Sequence, residues 1–165
     1  MNTMTRQELK EKILLLSNEY LKDVISARRY FHAYPETGFQ EYQTADYISG
    51  RLCEYDIPFQ QGIAKTGIVA CISGGSRSKK EGKVIALRAD MDALPIHEAN
   101  KVSYRSCYDG FMHACGHDVH IACLLGAAHI LNELKNEFSG TVKLFFQPSE
   151  ESFPGGALAM INEGV

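Results

Sequence analysis

Three short apolar runs constrain this chain more than any other feature. GIVACIS (residues 67–73), VIALRA (84–89) and TVKLFF (141–146) are rich in β-branched, aliphatic or aromatic residues, as strands buried on one or both faces are. Between the last two, residues 119–138 read as a long helix with Ile121, Leu124, Ala128, Leu131 and Leu134 on its apolar stripe. Ahead of the strands, Thr5 and Glu8 fit a capping box. Leu9, Ile13, Leu16, Tyr20, Val24, Ala27 and Phe31 then recur at helical spacing, until Pro35 and Gly38 end the helix. A second helix is expected at about 42–55, with Ala45, Ile48 and Leu52 on one face, and a short one at 156–162. Helices and strands that alternate in this way predict an α/β fold, a largely parallel sheet flanked by helices.

Composition narrows the function. At 165 residues the chain is long enough for one domain with a hydrophobic core. A formal net charge of -3 argues against an electrostatic nucleic-acid binder. The one basic run, SRSKKEGK (76–83), is broken by Glu81 and Gly82 and reads as a solvated turn. No apolar stretch approaches the ~20 residues that span a bilayer. The polar start MNTMTRQELKEK lacks the features of a signal peptide, so a cytoplasmic protein is expected. Cys53, Cys71, Cys107, Cys115 and Cys123 are odd in number and share no framework spacing, which suggests free thiols or ligands.

Ionisable residues collect where the elements end. ADMD (89–92) follows the VIALRA strand, PSEE (148–151) follows TVKLFF, and HACGHD (113–118) precedes the long helix. Ligands of open α/β sheets bind outside the carboxyl ends of strands, so these clusters could converge on one pocket. Cys115 and His117 reach a common point only if the backbone between them is extended or turning, and Gly116 permits such a turn. A thiolate and an imidazole suit Zn²⁺ and neighbouring first-row ions. A structural zinc site wants four Cys/His ligands in paired spacing. Cys107 and Cys123 stand alone, which favours a site completed by carboxylates. Glu150 and Glu151 leave the backbone in different directions, so one can bind metal while the other holds a water and takes its proton. A Cys115 nucleophile with His117 or His113 as base is the competing chemistry, but it leaves both carboxylate pairs without a task. Elsewhere, His97 beside Glu98 reads as a surface pair, His32 and His129 as structural, and Cys53, Cys71 and Cys123 as core packing.

Four stretches, RRYFHAYPETGFQEYQTADYI, LRADMDALPIHE, MHACGHDVHIACLLGAA and LFFQPSEESFPGGA, occur in this order. Together they closely resemble the amidohydrolase branch of the aminoacylase and carboxypeptidase G-type metallopeptidases. That branch includes hippurate hydrolases, indole-acetyl-amino-acid hydrolases and N-acetyldiaminopimelate deacetylases. The resemblance runs from about residue 28 onward. It implies a di-metal aminopeptidase-like fold with Cys115, His117 and Glu151 as metal ligands and Glu150 as general base and acid. Asp90 would be a catalytic or electrostatic residue beside the metals, and Asp92 would stand behind the ligands. His113 and His120 are left with supporting or structural roles. The implied cofactors are two divalent ions, zinc or manganese first, with cobalt or nickel able to substitute. The implied reaction is hydrolysis of the amide bond of an N-acyl amino acid.

The resemblance also implies a longer protein. Family members run to more than twice this length, with two further histidine ligands beyond the equivalent of Val165 and an inserted lid domain that mediates dimerisation. Residues 1–165 are therefore expected to be the N-terminal part of a catalytic domain, whose parent is a homodimer through the lid. Alone, this part is expected to be inactive, or to act as a non-catalytic metal-binding or interaction module. An open sheet edge and exposed apolar surface should accompany it.

Overall fold

The computed structural model describes residues 4–75 and 82–165. The basic run at 76–83 lies outside these except for Gly82 and Lys83, so the turn expected there is not described. Helix α1 (Arg6–Ala33) opens on the expected capping box: Thr5 Oγ1 accepts the Glu8 N–H, and Glu8 Oε2 accepts the Thr5 N–H at 2.7 Å. Helix α2 (Tyr42–Glu54) follows, its first N–H groups capped from a distance by Glu36, whose carboxylate accepts from Gln43 and Thr44. Then come β1 (Phe59–Ile63), β2 (Gly67–Ser73), β3 (Val84–Asp90), α3 (His117–Glu133), β4 (Thr141–Gln147) and α4 (Gly156–Asn162). A short 3₁₀ turn, Lys135–Glu137, takes up what was read as the end of α3.

The α/β class and the flanking helices are as the sequence predicts. The strand directions are not. The sheet order is β1-β2-β4-β3, and only β3 and β4 run parallel. The β1–β2 and β2–β4 pairs are antiparallel, so the sheet is mixed. The reason lies in the connections. Parallel neighbours need a long crossover, and α3 supplies one between β3 and β4; β1 and β2 are joined by a tight turn that allows only antiparallel pairing. Strand β1 is absent from the sequence reading because FQQGI is polar at its centre. It is an edge strand, with Gln60, Gln61 and Gly62 exposed.

Alternation sorts the sheet residues to two faces. Ile68, Ala70, Ile72, Val142, Leu144 and Phe146 pack with Phe31, Ile48, Leu52, Ile121 and Leu125 from α1, α2 and α3. On the other face, Val69 and Phe145 pack against Met160 of α4. Strand β3 forms the second edge, with Val84 and Ile85 exposed. Ile85 lines an apolar groove of about 290 Å³ with Leu9, Ile13, Leu134 and Phe138. The open edge and exposed apolar surface expected from the sequence are both present.

Candidate metal centre

Asp90 and Gln147 face each other at the ends of β3 and β4, and the Met91 N–H still donates to the Gln147 carbonyl at 2.9 Å. Beyond that pair one strand continues into Asp92 and the other into the PSEE turn. Ser149 in this turn has φ 48°, a left-handed value uncommon for serine. Glu41 holds it. Fully buried, Glu41 accepts the Ser149 N–H at 2.8 Å through Oε1 and the Thr66 hydroxyl at 2.5 Å through Oε2. Burial pushes the Glu41 carboxyl above the usual range, although these hydrogen bonds oppose it. Gly38 lies directly against the turn, where a Cβ would come within 2.5 Å of Ser149 Oγ.

The second turn is the Cys115-Gly116-His117 unit. Gly116 has φ 87°, and nothing crowds the space a Cβ would take, so glycine is favoured there by backbone conformation. His117 follows as the first residue of α3. Its Nδ1 lies 2.9 Å from the Asp92 carbonyl and 3.3 Å from Asp92 Oδ1. A carbonyl can only accept, so Nδ1 carries the proton, and Nε2 of the neutral ring keeps a free lone pair. That Nε2 faces Glu151 Oε1 at 3.8 Å, Glu150 Oε2 at 3.9 Å and Asp90 Oδ2 at 4.0 Å. The other Asp92 oxygen, Oδ2, accepts the Glu151 N–H at 2.9 Å. Asp92 therefore ties one turn to the other.

The electrostatics follow from these contacts. Burial works against ionising Asp92, but hydrogen bonds from His117 and from the N–H groups of Glu151 and Glu150 hold its carboxyl below the usual range. Burial likewise works against a charged His117, yet its bonds to Asp92 and the charge of Asp90 hold it above the ordinary imidazole value. The Cys115 thiol is pushed up by its hydrogen bond to Glu151, then by desolvation and the neighbouring carboxylates.

Among the described residues, Cys115, His117 and Glu151 each offer a donor atom within 4.8 Å of the others. Asp90, His117 and His120 form a second such group. His120, expected to play only a supporting or structural part, stands three residues after His117, which puts the two imidazoles on one helix face. Its Nδ1 lies 3.5 Å from Asp90 Oδ2, and its ring stacks on His117 with centroids 5.5 Å apart. His113 is buried with neither ring nitrogen partnered among the described residues, and burial pushes it down to about 4.

Other expectations are corrected. Cys53 and Cys123 are exposed on their helices and Cys71 is half-buried, so none packs as a fully buried core thiol. His97 pairs with Asp109 at 2.7 Å, while Glu98 turns inward to His32. His129 is stacked between Tyr20 and Tyr55, as a structural residue would be.

Comparison with known proteins fits this geometry. The sequence description of "Peptidase family M20/M25/M40" matches residues 86–165. An N-acyl-L-amino acid amidohydrolase of Geobacillus stearothermophilus is 43% identical over 162 residues, which cover 98% of this chain and 42% of that protein. The chain belongs to the peptidase family M20/M25/M40. An N-acetyl-L-cysteine deacetylase of Bacillus subtilis is 46% identical, over 87% of this chain and 33% of that one. The crystal structure of a Bacillus subtilis protein described as a dinuclear metal-binding peptidase of the M20 family superposes with a TM-score of 0.81 at 41% identity. That match covers 89% of this chain and 40% of the other. The chain thus spans about two-fifths or less of the length of these M20 relatives.

Proposed function

We propose that the protein containing this chain hydrolyses the amide bond of N-acyl amino acids with the help of two divalent metal ions. The observation that carries the reading is the meeting of Cys115, His117 and Glu151, donors from two separate turns, within 4.8 Å of one another. Thiolate, imidazole and carboxylate together suit zinc or manganese and would also accept cobalt or nickel. His117 already has the tautomer a ligand needs, with Nε2 free and Nδ1 held by Asp92. The relatives named for N-acyl-L-amino acids and N-acetyl-L-cysteine support the substrate class.

The chemistry that divalent ions supply when bound is Lewis-acid polarisation of the substrate carbonyl and acidification of water. The rest falls to the chain. Cys115, His117 and Glu151 would supply this segment's share of the ligands, and Asp92 orients His117 from behind. Glu150, with its side chain 42% exposed beside His117, takes a proton from water and hands it to the departing amine. Asp90, paired with Arg88, adds negative charge against His117 and His120. A Cys115 nucleophile is the weaker reading, because its surroundings raise the thiol pKa where a reactive cysteine needs it lowered.

No helix among the described residues is long and apolar enough to cross a membrane. We read the protein as cytoplasmic and, on the resemblance, as a homodimer through a lid domain. The test is turnover. The complete polypeptide, loaded with zinc, manganese, cobalt or nickel, should release free amino acid from N-acetyl or N-benzoyl substrates; inactivity across a broad panel would overturn the assignment. A second reading concerns residues 1–165 alone. Both donor groups share the single free Nε2 of His117, which favours a one-ion binding module without turnover. Metal analysis of this segment should find no more than one tight ion, and two would reject that reading.

A further inference from the structure

Behind the Gly116 turn lies a charged cluster that the proposed reaction does not use. Asp118, next in chain to His117, is fully buried. Its Oδ2 accepts from Arg28 Nε at 2.9 Å and lies 2.7 Å from His32 Nδ1; its Oδ1 accepts the Val119 N–H at 2.9 Å. The opposite nitrogen of His32, Nε2, lies 3.1 Å from Glu98 Oε1. Glu98 in turn accepts the Ser106 N–H at 2.5 Å and the Asn100 side-chain amide at 3.2 Å. Helix α1, the 98–106 loop and the first turn of α3 are thus joined through two carboxylates and one imidazole.

Stability is a weak explanation for this arrangement. Desolvating several charges can offset their mutual attraction, and well-packed apolar side chains often do as well or better. What the cluster does specifically is fix one point, the first turn of α3. Cys115 is exposed and Gly116 has no side chain, so within the ligand turn only the buried His117 is held by packing. The turn is held from the front by Asp92 on His117 and from the rear by Asp118.

We propose that Asp118, His32 and Glu98 are positioning residues that hold Cys115 and His117 in register with Glu151 before any ion arrives. The inference rests on the metal reading of the site. Partners one step behind metal ligands are commonly worth about 10–100-fold in metal affinity, and this chain of contacts reaches the ligands through the backbone of a single helical turn.

The test uses Co²⁺ as probe, read by titration and by the thiolate-to-cobalt charge-transfer band that reports the Cys115–metal bond. His32→Gln in the complete protein should bind Co²⁺ about 10–100-fold more weakly and shift that band, while far-ultraviolet circular dichroism shows the fold retained. Glu98→Gln keeps the shape and an acceptor for the Ser106 N–H, so it carries the test if His32→Gln fails to fold, and its loss should be smaller. Unchanged affinity and an unchanged band in the folded variant, even with a lower Tm, would make the cluster merely structural and overturn the proposal. If the unmodified protein bound no Co²⁺, the metal reading itself would fall and this inference with it, an outcome distinct from the first.

Discussion

The turn at Gly116 and the turn at Ser149 both place a central residue at positive φ, 87° and 48°, and both rest on a buried carboxylate. They differ in which residue bears the conformation and in what the carboxylate binds. Glycine adopts its angle freely, whereas an L side chain there costs about 1–2 kcal/mol. Behind Gly116, Asp118 is matched by the cationic Arg28 and by His32. Behind Ser149, Glu41 is matched by the neutral Thr66 hydroxyl and by backbone N–H groups, that of Ser149 among them. The first turn is conformationally cheap and electrostatically fixed; the second is strained and held by hydrogen bonds in a nearly apolar setting. One presents soft ligands, the other the carboxylates.

The largest effect should separate the tasks of the two turns. Glu150→Gln in the Ser149 turn is expected to lower kcat about 10²–10⁴-fold while Co²⁺ affinity stays within a few-fold of the parent. Cys115→Ala in the Gly116 turn should instead weaken Co²⁺ binding and abolish the thiolate charge-transfer band. Steady-state kinetics beside metal titration decides the matter. Full turnover in Glu150→Gln would remove it as the proton carrier.

Acid should act on the two turns with opposite sign. His113, at the start of the Gly116 segment, is pushed down to about 4 by burial, against about 6.5 in an unfolded chain. Between those values the unfolded chain takes up a proton that the folded one refuses. Stability therefore falls as pH drops through that window, by about 3 kcal/mol at most. Glu41 is raised by burial, so its contribution is full below the unfolded glutamate value and is lost as pH rises through the folded one. Urea unfolding from pH 4 to 7 should show a flatter acid limb in His113→Leu than in the parent. Glu41→Gln should remove part of the loss on the rising side. Parallel curves for parent and His113→Leu would mean that the imidazole is not buried neutral.

Much of this comparison was legible in the sequence, and the missing parts have a common cause. Residue order marks where strands stop, so ADMD, PSEE and HACGHD could be placed at element ends, and Cys115, His117 and Glu151 do meet. Strand directions were less legible, because an apolar run looks the same either way along; only the connection length separates β1–β2 from β3–β4. Glu41 carries no signal in the sequence, Glu98 reads only as half of a surface pair and Asp118 only as part of the HACGHD cluster, because a lone acid carries no sign of the partner it will find. Their partners Thr66, Ser149, Arg28 and His32 lie 25 or more residues away, except for neighbours such as Asn100 and Val119. His120 was the nearer miss, since its spacing from His117 was visible.

The smallest effect is the sharpest test of how the turns are built. Gly116→Ala introduces a Cβ into a left-handed position and should destabilise the fold by about 1 kcal/mol or somewhat more. Ser149→Gly should do the reverse. It relieves the left-handed serine and removes a buried hydroxyl that has no hydrogen-bond partner among the described residues, against which stands the extra backbone freedom of glycine in the unfolded chain, about 0.5–1 kcal/mol. The net expectation is a gain of about 1 kcal/mol or less, read from urea midpoints at unchanged slope. Since the Ser149 side chain also fills the space beside Gly38, Gly38→Ala should be tolerated better in the Ser149→Gly background than in the parent, and a double-mutant cycle measures that coupling directly. Additive effects would mean that Ser149 Oγ turns aside at little cost, and that the Glu41 bond to the Ser149 N–H holds the turn without help from the serine side chain.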